Sequence, residues 1–348
     1  MTNIERLLQK AAEQGASDLH ITAKNPPWIR RNGRLICLEE EVFSAEGEEE
    51  LLYAFLDERQ RAKLVEAGKV EFGFSFSETR CRVQVFQQIQ GYTAVFRLFG
   101  DGIPEAEDLS IPQSVLEVCK KKQGLVILSG ASGSGRTTTL SVLIEQINRE
   151  IGGHILTLES PVEYQYINKK GIIHQREVGV DTESYSKGLT DALREDADVI
   201  AVGAISDAET ICAMMKASEM GHLVFGVMDA VGAVETVEQI IELFLPEQRQ
   251  VMRCRFADML CMVVSQQLIP TLGGERRQSV FDVMYANETV KNLICEGKTA
   301  FIGSVMQTES GMQKMDRGIF ELYVQGKIDR QQALQYVRDS SLLEKKLI

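Results

Sequence analysis

The chain has 348 residues, of which 44% are hydrophobic, and a formal net charge of −12 at pH 7. This length predicts two domains and leaves enough apolar material for packed cores. The acidic balance argues against nucleic acid as the main partner, because neutralising phosphates needs a basic surface. No apolar run approaches the roughly 20 residues that a membrane-spanning helix needs, and the first residues are unlike a secretion signal.

The first hundred residues have the pattern of a small α+β domain. Residues 1–14 show the period of an amphipathic helix, and 18–38 form short apolar pieces separated by proline and glycine turns. Residues 46–67 form a charged helical stretch, and alternation between 70 and 97 predicts antiparallel strands with one face buried. We expect this domain to span residues 1–99.

A linker and a second domain follow. The segment 100–112 combines glycine, proline and acidic residues without periodicity, which predicts a linker. In the domain expected at 113–348, helical stretches alternate with apolar strand candidates at 125–129, 154–158, 198–203 and 222–227. This alternation predicts an α/β fold, a mainly parallel sheet with helices on both faces. Beyond residue 235 we predict mainly helix, with amphipathic stretches at 234–244, 247–262 and 328–346.

Seven cysteines are scattered along the chain, and no two of them form a C-x-x-C pair. Their odd number and irregular spacing favour reduced, mostly buried thiols in a cytosolic protein over disulfides. The same spacing argues against a zinc site.

The most informative motif directly follows the first strand candidate of the second domain. Gly130-Ala131-Ser132-Gly133-Ser134-Gly135-Arg136-Thr137 fits the phosphate-loop pattern G-x-x-x-x-G-K-[ST], except that arginine replaces the lysine. A strand, a glycine-rich turn and a helix N-terminus form an anion site, because free backbone N–H groups converge there. The predicted nucleotide-binding residues are Gly130, Ser132, Gly133, Ser134, Gly135, Arg136, Thr137 and Thr138. The Thr137 hydroxyl is also the expected contact to Mg²⁺ bound with the nucleotide.

Several further strings resemble the PilT-type retraction ATPases of type IV pili, which belong to the type II/IV secretion ATPase superfamily. These strings are GASDLH at 15–20, ILTLESPVE at 155–163, QREVG at 175–179, LREDADVI at 193–200 and GHLVFG at 221–226. The resemblance implies a PAS-like N-terminal domain, a RecA-like nucleotide-binding domain, ATP with Mg²⁺ as cofactor, and a cytosolic homo-hexameric ring. The chain lacks the four-cysteine zinc insertion of the assembly-type relatives, which indicates the retraction branch.

Four positions depart from the catalytic pattern of that family. Arg136 replaces the loop lysine, Ser160 the aspartate of the Asp box, Ala204 the Walker B glutamate, and Asp229 the second histidine of the His box. Arginine is not interchangeable with lysine at such a site, and loss of a positioned base costs about 10²–10⁴ in rate. A carboxylate at 229 would oppose the charge of a nucleotide if it faces the site. Because these four changes all lie in the catalytic motifs of the family, we predict impaired ATP hydrolysis.

Other residues that the resemblance implies in catalysis are present: Glu159, Glu163, His222, Arg97 and Arg176. The alternative to impaired hydrolysis is a slow enzyme, in which Glu159 or Glu163 activates the attacking water. Arg97 and Arg176 resemble arginines that reach the phosphates of a neighbouring subunit, where they neutralise charge in the transition state. For both arginines, a surface or interdomain salt bridge is the alternative.

Three functions therefore stay open. The first is a ring protein of a pilus or secretion machine with an impaired ATP site, acting as a regulator or as partner of an active paralogue. The second is a working retraction motor that couples ATP hydrolysis to pilus disassembly and twitching motility. The third is a structural oligomer that does not depend on nucleotide. The resemblance implies an inner-membrane pilus platform protein as partner and a cytoplasmic location at the inner face of the membrane.

Overall fold

The computed structural model describes residues 3–31, 33–38, 52–53, 55–76, 79–100, 102–273 and 277–338. The chain divides into two compact units. The first consists of Met1–Gly102 with Pro161–Gln165, and the second of Ile103–Ser160 with Tyr166–Ile348. The predicted linker at 100–112 stays a prediction. Among the described residues, no helix combines the length and apolar character that crossing a membrane requires.

The first unit is an α+β domain whose helices accompany a six-stranded antiparallel sheet. The strand order in this sheet is β3-β2-β1-β6-β5-β4. Apolar residues alternate along its strands, so that Val83 and Val85 lie in a buried core with Leu7 and Leu8 of the first helix. Of the helix predicted at 46–67, residues 46–51 and 54 lie outside the described residues. The elements are α1 (Asn3–Glu13), β1 (Asp18–Thr22), β2 (Trp28–Arg31), β3 (Arg34–Cys37), α2 (Glu58–Ala67), β4 (Lys69–Phe76), β5 (Thr79–Gln88) and β6 (Gly91–Leu98).

The second unit is built on a seven-stranded sheet in the order β13-β12-β7-β11-β10-β8-β9. Neighbouring strands are parallel, except that β12 and β13 are antiparallel. The predicted mainly parallel sheet is confirmed. Its strands are β7 (Gly124–Ser129), β8 (Gly153–Glu159), β9 (Gly171–Glu177), β10 (Val199–Val202), β11 (Leu223–Met228), β12 (Leu260–Pro270) and β13 (Arg277–Tyr285).

Helices cover both faces of this sheet. On β7, Leu125 and Ile127 belong to one core, whereas Val126 and Leu128 belong to the core on the other face. Strands buried on both faces appear in the sequence as continuous apolar runs, which is why β7, β10 and β11 were recognisable. The helices are α3 (Gln113–Leu116), α4 (Arg136–Gln146), α5 (Tyr185–Ala192), α6 (Ala208–Glu219), α7 (Ala233–Glu242), α8 (Arg249–Met259), α9 (Glu288–Cys295), α10 (Ile302–Thr308), α11 (Met315–Val324) and α12 (Arg330–Tyr336).

The expectation of mainly helix beyond residue 235 is wrong for two segments. Strand β12 begins directly after α8 ends at Met259, inside the helix predicted at 247–262, and β13 pairs with it. A short apolar run is compatible with a buried strand and with a buried helix, so periodicity alone does not separate them. Of the helix predicted at 328–346, α12 is helical, and residues 339–346 lie outside the described residues.

The expectation that all cysteines are reduced is wrong for one pair. Cys254 on α8 and Cys295 at the end of α9 form a disulfide, with Cα atoms 4.2 Å apart. Their separation of 41 residues resembles no known spacing motif, and only the packing of the two helices brings them together. The other five cysteines form no disulfide, and Cys37 among them is exposed.

Candidate nucleotide site

The phosphate-loop motif lies at the carboxyl edge of the parallel sheet, between β7 and α4. Gly135 precedes α4 with a φ of 91°, and no side chain caps this end of the helix. The N-cap glycine offers no side-chain acceptor to the N–H groups of the first turn, and the helix dipole places partial positive charge beside the loop. This arrangement suits a bound phosphate.

Two glycines of the loop are required because β12 approaches it closely. A Cβ atom on Gly130 would lie 2.4 Å from Gln266 O, and one on Gly135 would lie 2.9 Å from Gln266 Nε2. Gln266 is buried, and its Oε1 accepts a hydrogen bond of 2.5 Å from Thr139 Oγ1 in the first turn of α4. Gln266 therefore shapes the loop. Sequence reasoning missed it, since the chain beyond residue 235 was expected to be mainly helical and β12 was not predicted.

The side chains of the loop differ in their surroundings. Ser134 is buried, and its Oγ has no hydrogen-bond partner among the described residues. A buried hydroxyl without a hydrogen-bond partner costs free energy, and a ligand atom that forms a hydrogen bond with Ser134 Oγ would remove that cost. Ser132 and Gly133 are exposed, and Thr137 and Thr138 are half-buried in the first turn of α4. The binding roles of these residues stay predictions.

The Arg136 side chain extends from the first residue of α4 to the end of β11. Its Nη1 donates a hydrogen bond of 2.6 Å to Met228 O, and its Nη2 forms an ion pair with Asp229 Oδ1. The Arg136 side chain is 13% exposed and that of Asp229 is 78% exposed. Two positions at which the sequence departs from the family pattern are therefore partners in the structure.

Glu159 is the last residue of β8, at the same carboxyl edge of the sheet as the loop. Its Oε1 accepts hydrogen bonds of 2.6 Å from Thr157 Oγ1 and 3.1 Å from Gln175 Nε2, and its side chain is buried. A Cβ atom on Gly203, which follows β10, would lie 3.3 Å from Glu159 Cα. Ala204 comes next and is half-buried. Glu159, an acid that is present, therefore lies near Ala204, the position at which the Walker B glutamate of the family is missing.

His222 is not at the loop of its own chain. In the parallel register of β7 and β11, Leu223 pairs with Gly124, and Met228 pairs with Ser129. His222 therefore precedes β11 at the amino edge, about 20 Å or more from the loop at roughly 3.3 Å per residue. Its Nδ1 lies 2.7 Å from Ala197 O. The catalytic role of His222 stays a prediction.

The remaining predicted residues lie in different surroundings. Arg176 on β9 forms an ion pair with Glu195 at 3.0 Å and donates to Asp181 O, as the salt-bridge alternative expects. Arg97 on β6 is exposed, and its side chain makes no hydrogen bond or ion pair within the part of the chain that the structure describes. Glu163 belongs to the first unit through the segment Pro161–Gln165. Their catalytic roles stay predictions.

The parallel sheet, the glycine loop at its carboxyl edge and the helix that follows define a RecA-like phosphate-loop protein of the α/β class. The family described as Type II/IV secretion system protein matches residues 1–342, and this chain belongs to that family. The resemblance to PilT-type proteins drawn from the sequence strings is confirmed by the relatives.

The type IV pilus retraction ATPase PilT of Pseudomonas aeruginosa is 36% identical over 334 residues, which cover 95% of this chain and 97% of that protein. The type IV pilus ATPase PilU of the same organism is 34% identical over 333 residues, covering 95% and 87%. Among solved structures, the crystal structure of the pilus retraction motor PilT with bound ADP has a TM-score of 0.91 at 37% identity. That comparison covers 99% of this chain and 100% of the other.

Proposed function

We propose that this chain is a ring-forming subunit of a type IV pilus or type II secretion-type machine that binds nucleotide but hydrolyses it slowly or not at all. It acts in the cytoplasm at the inner face of the membrane, as a regulator or as partner of an active paralogue. One observation carries the proposal: the backbone of the phosphate loop is retained, while the cationic side chain of the loop is engaged by a carboxylate of the same chain.

Nucleotide binding is supported by the parts of the loop that need no charged side chain. The N-terminus of α4 has no side-chain cap, and Gly130 and Gly135 keep the backbone close to β12. Ser134 Oγ is buried and has no partner within the described residues. Backbone N–H groups of such a loop cradle the α- and β-phosphates, and the following hydroxyl, here Thr137, contacts Mg²⁺. The PilT structure that resembles this chain holds ADP.

Impaired hydrolysis is supported by the side chains around the loop. The Arg136 guanidinium binds Met228 O and the Asp229 carboxylate, both at the end of β11. Ala204 has no group that accepts a proton or orients water. Phosphoryl transfer depends on positioning and on charge stabilisation at the terminal phosphate, and both are reduced in such a site.

The test is ATP hydrolysis with Mg²⁺ by the purified full-length protein beside a triple reversion. The changes Arg136→Lys, Ala204→Glu and Asp229→His restore the family side chain at three of the four positions that depart from the pattern. We expect no turnover by the parent and turnover at least about 10²-fold faster by the reversion. The matched control carries Ala204→Gln with the other two changes, which keeps the size and removes the acid, and it should stay inactive. Turnover by the unaltered parent contradicts impaired hydrolysis.

An active retraction ATPase is the second candidate, and Glu159 favours it. This carboxylate is retained at the sheet edge beside Gly203, where Thr157 and Gln175 orient it. If Glu159 activates water, the parent hydrolyses ATP, and Glu159→Gln abolishes that turnover. Turnover that persists in Glu159→Gln removes the support that Glu159 gives to this second candidate.

The homo-hexameric ring is proposed from the family and from Arg97. An exposed arginine without a partner in the described chain is available to another subunit, and sites shared between subunits need head-to-tail contacts that close. We expect sedimentation to show a hexamer in the presence of nucleotide. Monomers alone at all accessible concentrations contradict the ring.

A further inference from the structure

We propose that Asp229 is an internal counter-charge that makes the loop take a nucleoside diphosphate in preference to a triphosphate. The inference rests on the nucleotide binding proposed above and adds the ligand class that this altered site selects. Asp229 is thereby a specificity-determining residue.

The first step is the engagement of the loop's cation. Both terminal nitrogens of Arg136 have partners at the end of β11, Met228 O and the Asp229 carboxylate. The Arg136 side chain is 13% exposed, so only a small part of it is open to an incoming anion. An anion that reaches this guanidinium must share it with Asp229 or displace Asp229.

The second step is the position of the carboxylate. Met228 pairs with Ser129 in the parallel register, so Asp229 and Gly130 leave the sheet on neighbouring strands, about 4.8 Å apart. Asp229 is therefore placed beside the first glycine of the loop. Its side chain is 78% exposed, so the carboxylate is open to solvent at the entrance of the site.

The third step is the difference between the two ligands. In a phosphate loop the backbone N–H groups cradle the α- and β-phosphates, whereas the cationic side chain reaches the β- and γ-phosphates. In this chain the backbone N–H groups of the loop are retained, whereas the charge of the cationic side chain, Arg136, is neutralised by Asp229. A γ-phosphate brings further negative charge to within a few ångströms of that carboxylate, where like charges disfavour each other. A diphosphate needs only the backbone part.

The fold itself has little need of the pair. Arg136 is the ion-pair partner of Asp229 within the described chain, and the carboxylate is largely solvated. Asp229→Asn also leaves the hydrogen bond from Arg136 Nη1 to Met228 O in place. Removing the Asp229 charge should therefore leave a folded protein, so the ligand preference can be measured.

Calorimetric titration of the full-length protein with ADP and with a non-hydrolysable ATP analogue, both with Mg²⁺, tests the inference. We expect the parent to bind ADP at least about tenfold more tightly than the analogue. Asp229→Asn should strengthen binding of the analogue by about tenfold or more and change ADP binding by less than about threefold. Asp229→Glu, which retains the carboxylate, should keep the preference for ADP.

Glu183→Gln is the matched control, because Glu183 is an exposed acid between β9 and α5 and has no ion pair among the described residues. Strand β9 lies four strands away from β7, the strand that leads into the loop. It should leave the ratio of the two affinities unchanged. A parent that binds the analogue as tightly as ADP overturns the inference and leaves nucleotide binding intact. An equal gain for both ligands in Asp229→Asn also overturns it. Absence of binding of either ligand by the folded parent, Asp229→Asn and the triple reversion overturns the proposed function itself.

Discussion

Arg136 and Asp229 form an ion pair at the carboxyl edge of the parallel sheet, where the phosphate loop begins. Each residue alone is unfavourable for an ATP site, since arginine does not replace the loop lysine and a carboxylate repels phosphate. As a pair they neutralise each other next to a loop whose backbone is retained. The two departures from the family pattern are therefore one structural feature, with one expected effect on the ligand.

The contact between the loop and β12 predicts unequal effects of alanine at two glycines. In Gly130→Ala the new Cβ would lie 2.4 Å from Gln266 O, whereas at Gly133 nothing lies within 4 Å, although its φ is 76°. We expect Gly130→Ala to weaken ADP binding by about 100-fold or more, and Gly133→Ala by about tenfold, because the latter adds only about 1–2 kcal/mol of backbone strain. Titration with a fluorescent ADP measures both, and equal losses would show that β12 does not constrain the loop.

The pairing of Cys254 with Cys295 predicts a thiol count and a change in melting temperature. Denatured protein without reductant should expose five thiols, and reduced protein all seven. Reduction opens a loop of 41 residues and should lower the free energy of unfolding by at most about 4 kcal/mol. Cys254→Ser is the control, since its melting temperature should not respond to reductant. Seven thiols before reduction would contradict the pair.

The five cysteines outside the disulfide should differ sharply in their reactivity toward a thiol reagent. Burial raises the pKa of the Cys81 and Cys119 thiols to about 12, so neither forms a thiolate near neutral pH. Cys37 is exposed. At pH 8 we expect a disulfide reagent to react rapidly with Cys37 in the native protein, and with Cys81 and Cys119 only after denaturation. Cys37→Ser should remove the rapid phase, and a rapid phase that persists in that variant contradicts the assignment.

Asp282 on β13 predicts a pH-dependent contribution to stability. Burial raises the pKa of its carboxyl above 3.8, although hydrogen bonds from the Ala233 and Met315 N–H groups act in the opposite direction. A raised folded-state pKa means that the native state favours the protonated form. The stability contribution is therefore fully present below pH 3.8 and is lost as the pH rises through the folded-state pKa.

The comparison of wild type with Asp282→Asn isolates this effect. Urea unfolding across the acid to neutral range should show the difference in unfolding free energy moving in favour of the variant as the pH rises, then becoming constant. Asparagine does not titrate, so titrating groups that do not interact with Asp282 cancel in the difference. A difference that moves in favour of the wild type over the same range contradicts the raised pKa.

Part of the candidate site was predictable, because its parts are consecutive in the chain. The glycine loop, the strand before it and the helix after it are local, and hydrogen bonds along the backbone fix them. Gln266 was not predictable, since its role depends on β12 lying against β7. The position of His222 was not predictable for a related reason: only the direction of β11 shows that His222 lies at the amino edge of the sheet.

The sequence by itself determined the class of fold, because continuous apolar runs, alternating patterns and a phosphate-loop motif each follow from local backbone geometry and burial. Tertiary structure alone decided which distant residues meet. It pairs Arg136 with Asp229 and Cys254 with Cys295. It also makes the apolar segment after α8 a strand, β12, rather than a helix. These outcomes depend on packing between segments remote in sequence, and no local pattern encodes such contacts.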